Sequence, residues 1–145
     1  TFDCSDDCVV FDGDNLSKEN IAKLLPSPLG IPVLAKPSLW NQGGYDAVWI
    51  CRAGFFRNKF TLRFMQVTKS SSHSLKLKYF SQFLRSMVAA GHEIESIEIC
   101  FVVPDTKMKD FSITHAQVFD KGQLSHCKVY QRSDKWAHHR EHTHI

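Results

Sequence analysis

Two strand-like segments joined by a short turn constrain the fold of this chain more than any other feature. Residues 46–53 and 59–67 are rich in β-branched and aromatic residues, and the turn between them is centred on Phe56. An antiparallel hairpin of this length places position 46 opposite position 66. Opposed residues lie about 5 Å apart at Cβ. The sequence therefore predicts that Asp46 and Gln66 are cross-strand neighbours.

The two-residue period of a strand assigns the hairpin residues to faces. One face is predicted to carry Asp46, Val48, Ile50 and Arg52 together with Phe60, Leu62, Phe64, Gln66 and Thr68. Its polar groups collect at one end, and apolar groups fill the remainder. We therefore expect a core below this face and a polar site at the end that holds Asp46 and Gln66.

Charge is distributed unevenly along the chain. The formal net charge is only +3, from 18 basic and 15 acidic residues, yet positions 47–92 contain no acidic residue. This run predicts a surface that binds an anionic partner, most simply nucleic acid. Its basic residues are Arg52, Arg57, Lys59, Arg63, Lys69, Lys76, Lys78 and Arg85.

Length and composition predict one domain with a tail. A chain of 145 residues that is 43% hydrophobic can bury a substantial core without disulfides. We assign residues 1–132 to this domain. Residues 133–145 contain His138, His139, His142 and His144 among charged residues, with no apolar stripe, and are predicted to form a disordered tail.

The cysteines and the absence of a long apolar run bear on the compartment. Five cysteines are an odd number, and Cys51 and Cys100 lie in apolar runs where reduced, buried thiols are usual. We therefore expect an intracellular, reducing compartment. No run reaches the roughly 18 apolar residues of a membrane span, so no membrane insertion is expected. Because the chain begins with Thr1, we interpret it as a processed product or one module of a longer protein.

The order of predicted elements indicates the fold class. A helical pattern containing Ile21 and Leu24 is followed by the hairpin and by a helix of about 17 residues that ends at Gly91. Serines in 70–74 offer N-caps for this second helix. Strand-like runs then occupy 94–103, 111–119 and 124–130. This order predicts an α/β fold, with α+β as the alternative, built as a single mixed β-sheet flanked by helices.

The polar strand end has the residue types of a divalent metal site. Mg²⁺ or Mn²⁺ takes hard oxygen ligands, which Asp46, the Gln66 side-chain carbonyl and the Val67 backbone carbonyl can supply. Thr68 or Lys69 occupies the position where a charge-stabilising group is wanted, and His73 is a further candidate for binding phosphate. The Gln66 oxygen is neutral, so the site has one strong anion unless Glu19 joins it from the first helix.

The stretch Pro37…Gly44-Tyr45-Asp46-Ala47-Val48…Leu62-Arg63-Phe64-Met65-Gln66-Val67-Thr68…His73 resembles the C-terminal restriction-endonuclease-like module of Crinkler and retrotransposon-hot-spot proteins. The resemblance covers about 40 residues and implies a diverged PD-(D/E)XK nuclease fold. By this likeness, the catalytic set includes Asp46, Gln66, Thr68, His73 and Glu19, and the residue chemistry above adds Lys69. It also implies DNA as the substrate, a nuclear effector or transposon-linked role, and an NTPase module in the full-length protein.

Two departures from that pattern keep alternatives open. Gln66 and Thr68 stand where a fully equipped nuclease has an acid and a lysine, and the chain contains no P-loop pattern. The first hypothesis is a Mg²⁺- or Mn²⁺-dependent nuclease. The second is a catalytically inactive module that binds nucleic acid or a protein partner. A third is that the basic run meets an acidic protein or a membrane surface.

Overall fold

The computed structural model describes residues 8–28, 30–39, 44–54, 58–114, 127–133 and 139–142. From residue 113 onward only the backbone is described. Within these residues the chain forms two helices and nine strands. In order these are β1 (Cys8–Phe11), α1 (Lys18–Leu24), β2 (Val33–Pro37), β3 (Ala47–Arg52), β4 (Lys59–Val67), β5 (Ser72–Ser74), α2 (Leu77–Ala89), β6 (Glu93–Val103), a 3-10 turn (Asp105–Lys107), β7 (Ser112–Thr114), β8 (Cys127–Ser133) and β9 (His139–His142).

Seven strands form one mixed sheet in the order β1-β2-β3-β4-β6-β8-β9. Strands β2, β3 and β4 are antiparallel neighbours, whereas β4, β6 and β8 run parallel. Helix α2 makes the crossover between β4 and β6, as parallel pairing requires. The mixed sheet with two helices confirms the predicted α/β class. Strands β5 and β7 form a separate parallel pair.

The register of the β3–β4 hairpin confirms the predicted pairing. Ala47 pairs with Met65, and Arg52 pairs with Phe60 at the other end. The regular pairing ends at Ala47 and Met65, and the backbone N–H of Asp46, just beyond it, donates to the Met65 carbonyl at 2.8 Å. Phe56 and Arg57, in the predicted turn, lie outside the described residues.

Both helices pack on the sheet face that carries the even-numbered residues of β4. Phe60, Leu62 and Phe64 are fully buried there, beside Val48 and Ile50 of β3 and Ile99 of β6. The Phe64 ring contacts Phe80 and Phe83 of α2, with ring centroids 5.0 and 5.6 Å apart. Ile21 and Leu24 of α1 complete the same cluster. Burial of these side chains at about 25 cal/mol per Å² is the main source of stability.

The opposite sheet face is less buried and mixed in chemistry. Arg63 of β4 donates from Nε to Glu98 of β6 at 2.5 Å, and Ser96 donates to the Thr61 hydroxyl at 3.1 Å. Cys51 and Cys100 are reduced thiols that form no disulfide. Burial raises the pKa of the Cys51 thiol, which disfavours the reactive thiolate.

Helix α2 begins later than predicted. It starts at Leu77, because Ser72–Ser74 pair as β5 with Ser112–Thr114 and so satisfy their backbone groups in a strand. The predicted serine caps in 70–74 are therefore wrong, and Lys76 holds the N-cap position without a capping side chain. Val88, near the end of this helix, is 62% exposed.

The C-terminal part differs from the predicted tail. His139–His142 form β9, antiparallel to β8, so this stretch of 133–145 is an edge strand rather than disordered. Strand β8 ends at Ser133, across the predicted boundary at 132. Residues 115–126, which include most of the strand predicted at 111–119, lie outside the described residues, as do His138 and His144.

Membrane insertion through a helix has no structural basis in the described residues. Neither of their helices is long and apolar enough to cross a bilayer.

The turn before β3 gives a stability prediction. Gly44 has φ of +120°, and a Cβ there would lie 2.7 Å from the Cβ of Tyr79 on α2. We expect Gly44→Ala to lower the free energy of unfolding by about 2 kcal/mol or more, from backbone strain and overlap. Gly54→Ala is the matched control, since φ is +63° and no described atom lies within 4 Å; it should cost about 1 kcal/mol. Urea unfolding measures both, and equal losses would contradict the close packing at Gly44.

Candidate functional site

Asp46 is fixed at the end of the sheet by two cross-strand hydrogen bonds. Its backbone N–H donates to Met65, and its carboxylate oxygen Oδ2 accepts from the backbone N–H of Val67 at 2.6 Å. A carboxylate bound by a backbone N–H is a charge-assisted pair and is correspondingly strong. The side chain therefore reaches across to Val67 of β4, the residue after Gln66. The predicted contact between the Asp46 and Gln66 side chains stays a prediction.

Gln66 contributes an unusual group at this end. It lies in β4 next to Met65, the last residue paired with β3, and its own partner in β6 is Phe101. Its side-chain oxygen Oε1 is enclosed and has no hydrogen-bond partner among the described residues. A buried carbonyl without a donor costs roughly 1–3 kcal/mol. Such an orphaned oxygen fits a donor or cation that the protein itself does not provide.

A divalent cation fits the oxygen chemistry of this strand end, though with few anions. The candidate ligands are Asp46, the Gln66 carbonyl and the backbone carbonyl of Val67, which are all oxygens. In the described part of the chain, no group of three His, Cys, Asp or Glu side chains is placed to hold a metal. A cation here would therefore have Asp46 as its one protein anion and would need phosphate oxygens to complete its shell.

Thr68 and Lys69 follow directly on the strand. Thr68 donates its backbone N–H to Val102 at 3.0 Å, and its hydroxyl accepts from the N–H of Ser70 at 3.1 Å. The hydroxyl is thus engaged in a local turn. The Lys69 side chain is exposed, and its backbone carbonyl accepts a hydrogen bond from the ammonium of Lys107. Lys107 lies outside the basic run, and sequence reasoning did not select it.

His73 is placed near this end of the sheet through β5. Its ring packs against Phe101, which is the β6 partner of Gln66, with centroids 5.5 Å apart. Its Nδ1 lies 2.9 Å from the carbonyl oxygen of Ser74, a hydrogen bond when Nδ1 carries the proton. The half-buried ring is therefore held by a strand rather than by the N-terminus of α2.

Glu19 is occupied by its own helix. It lies in the first turn of α1, fully exposed, after the N-cap Ser17. A hydrogen bond with its own backbone N–H, supported by one with Ser17, lowers the pKa of Glu19. No contact between Glu19 and Asp46 is present among the described residues. Glu19 acts as a helix-capping residue in this arrangement.

The N-terminus of α2 lies against the turn that carries Asp46. Gly44 approaches Tyr79 of the first helical turn closely, and Tyr45 is buried with its ring 4.8 Å from that of Phe64. Helix α2 has neither a capping side chain nor an acid in its first turn, and it carries Lys78 there. The Lys78 ammonium stacks 4.8 Å from the Tyr79 ring centroid. Unpaired helical N–H groups and the helix dipole favour an anion at this position.

Several residues of the basic run are neutralised by the fold. Lys59 lies 3.4 Å from Glu93 and 3.9 Å from Glu95, and Arg63 binds Glu98. These acids belong to β6, which is distant in sequence and parallel to β4. Arg52 donates to the Pro26 carbonyl at 2.9 Å and stacks over Phe60. Among the described residues of the basic run, Lys69, Lys76, Lys78 and Arg85 are exposed.

The chain matches no known family model, no curated protein and no solved structure. Functional assignment therefore depends on the geometry of this strand end.

The Asp46 carboxylate is expected to stabilise the fold and the Gln66 carbonyl to destabilise it, and two substitutions test this. Asp46→Ala removes the acceptor of the Val67 N–H and should lower the free energy of unfolding by about 1–2 kcal/mol. Gln66→Met keeps the length of the side chain and removes the orphaned carbonyl, so it should raise stability by about 1 kcal/mol in metal-free buffer. Urea unfolding measures both. A destabilising Gln66→Met would show that the carbonyl has a partner.

His92, at the opposite end of the sheet, predicts a pH dependence. Its Nδ1 is enclosed without a described partner, and burial, with the charges of Arg52 and Lys18, lowers its pKa. The unfolded chain then binds a proton at His92 more tightly than the folded chain does. The free energy of unfolding is therefore at its full value above the ordinary pKa of about 6.5, and it falls as the pH drops from there through the lowered pKa of the folded state. His92→Gln should give a shallower loss between about pH 7.5 and 5.5 in urea titrations. An unchanged slope would refute this assignment.

Proposed function

We propose that this chain is a nucleic-acid-binding domain of the diverged restriction-endonuclease type that cleaves DNA phosphodiesters with Mg²⁺ or Mn²⁺. The observation that supports the proposal is the strand end at which the Asp46 carboxylate binds the N–H of Val67, next in sequence to Gln66, whose side-chain carbonyl is enclosed without a partner among the described residues. The sequence resemblance supplies the fold family, the nuclear effector or transposon-linked setting and an NTPase module in a longer protein.

In this proposal, Asp46, Gln66 and the Val67 backbone carbonyl hold the metal. A divalent cation bound there supplies a Lewis acid for a phosphoryl oxygen and a more acidic water. The Asp46–Val67 hydrogen bond fixes one carboxylate oxygen, Oδ2, at the strand end. Asp46 thus keeps a rigid orientation, which is what positioning a reacting group requires.

The phosphate backbone is bound by the cations and N–H groups around this strand end. The first turn of α2 lies beside Gly44 and has no capping side chain, with Lys76 and Lys78 exposed. Lys69 is exposed at the end of β4. In this proposal His73 contacts phosphate through the ring nitrogen that does not face the Ser74 carbonyl. Such contacts bind the backbone without reading base sequence.

A second candidate function is a catalytically inactive module that binds nucleic acid or protein with the same surface. The neutral Gln66 and the uncharged Thr68 favour it, because the site then has one anion and no lysine on the strand. The bond from the Val67 N–H to Asp46 favours it as well, since a carboxylate that closes a strand end has a structural role without any metal.

Cleavage of supercoiled plasmid DNA tests the proposal. We expect the chain to nick plasmid in the presence of Mn²⁺ and not in EDTA. Asp46→Ala should slow nicking by at least about 100-fold through loss of the one anionic ligand, while affinity for duplex DNA measured in EDTA stays within about threefold. Asp14→Ala removes another exposed carboxylate and serves as the matched control, with an unchanged rate.

Two outcomes would contradict the nuclease assignment. One is metal-dependent cleavage that persists in Asp46→Ala, which would point to a contaminating enzyme. The other is binding of duplex DNA without any cleavage, which would establish the inactive module instead.

A further inference from the structure

Lys107 is brought to the proposed site by topology rather than by sequence. It ends the 3-10 turn that follows β6, and β6 runs parallel to β4 as its neighbour. The carboxyl ends of both strands therefore meet at one edge of the sheet, where ligands of such sheets commonly bind. The Lys107 ammonium donates to the backbone carbonyl of Lys69. This bond anchors a cation two residues beyond Val67, the partner of Asp46.

The strand itself does not supply a cation at this position. Thr68 is uncharged, and its hydroxyl is already bound by the N–H of Ser70. The charged residues farther back on β4 are paired, Lys59 with Glu93 and Arg63 with Glu98. A phosphate at the Asp46–Gln66 end would therefore find no positive side chain on β4 before Lys69.

We infer that Lys107 is the residue that binds the nucleic-acid phosphate at the Asp46–Gln66 strand end, in the place that Thr68 leaves without a charge. An ammonium has three N–H groups, so the bond to Lys69 leaves two for phosphate oxygens. The bond also restrains a flexible side chain before substrate arrives, which reduces the ordering cost of binding. This inference rests on the proposed function, because it assumes that phosphate enters this site.

The same turn provides a matched control. Lys109 is exposed and two residues farther along, and the structure gives its side chain no hydrogen bond or ion pair with any described residue. Lys107 and Lys109 both lie between the same two acids in sequence, Asp105 and Asp110. A change at Lys109 therefore alters the net charge of the turn equally without removing the anchored cation.

Three measurements on the full chain test the inference. In EDTA, Lys107→Gln should reduce by about one the slope of log affinity for a duplex oligonucleotide against log salt, and Lys109→Gln should leave it unchanged. Duplex DNA should slow acetylation of the Lys107 amine at least about fivefold relative to Lys109, read by mass spectrometry. With Mn²⁺ and saturating DNA, Lys107→Gln should lower the cleavage rate about 100-fold, with partial recovery in Lys107→Arg.

The outcomes distinguish this inference from the proposed function. Slope and acetylation effects without any cleavage would support the phosphate contact and reject the nuclease. Asp46-dependent cleavage, with Lys107→Gln indistinguishable from Lys109→Gln, would reject Lys107 and retain the nuclease. A chain that binds no duplex DNA at low salt would overturn both.

Discussion

The pairing of β3 with β4 is the interaction on which the other features depend. Its register places Asp46 beside Val67, and the bond between them closes the end of the hairpin. A slip of β4 by one residue relative to β3 would exchange the two faces of β4 and put Phe64 on the side away from the helices. The buried aromatic cluster under α2 therefore fixes the register, and the register fixes the polar site. Core packing and site geometry are one constraint here.

The parallel neighbour β6 determines which cations remain for a ligand. It is brought beside β4 by the α2 crossover, and its glutamates then neutralise Lys59 and Arg63. Solvent-exposed pairs of this kind contribute about 0–1 kcal/mol to stability, so their larger effect is on the surface potential. Positive charge is left at the end of the sheet where Asp46 lies. An even basic surface along the hairpin, as the sequence alone suggests, is not what the fold presents.

The sequence was sufficient for features set by local period and turn length, and insufficient for those set by distant partners. The hairpin register followed from alternation and turn length, and the long apolar run 94–103 was found as β6. The start of α2 was missed because Ser72–Ser74 find a strand partner nearly 40 residues later. Lys107 was missed for the same reason, since only the crossover brings it to Lys69. Strand β9 has no apolar stripe and exists through its pairing with β8.

The strongest argument for a ligand at the strand end is the enclosed polar group that the fold contains there. Asp46 by itself has a structural explanation, because it satisfies the Val67 N–H. Gln66 has none among the described residues, because its carbonyl is enclosed there without a partner, where an apolar side chain of the same length would be more stable. Buried polar groups that reduce stability persist mainly where function uses them. A cation held between this carbonyl and the Asp46 carboxylate would offset the cost in the bound state, so a ligand should stabilise the wild-type chain more than a variant without the carbonyl. Binding and stability would then be linked through one oxygen atom.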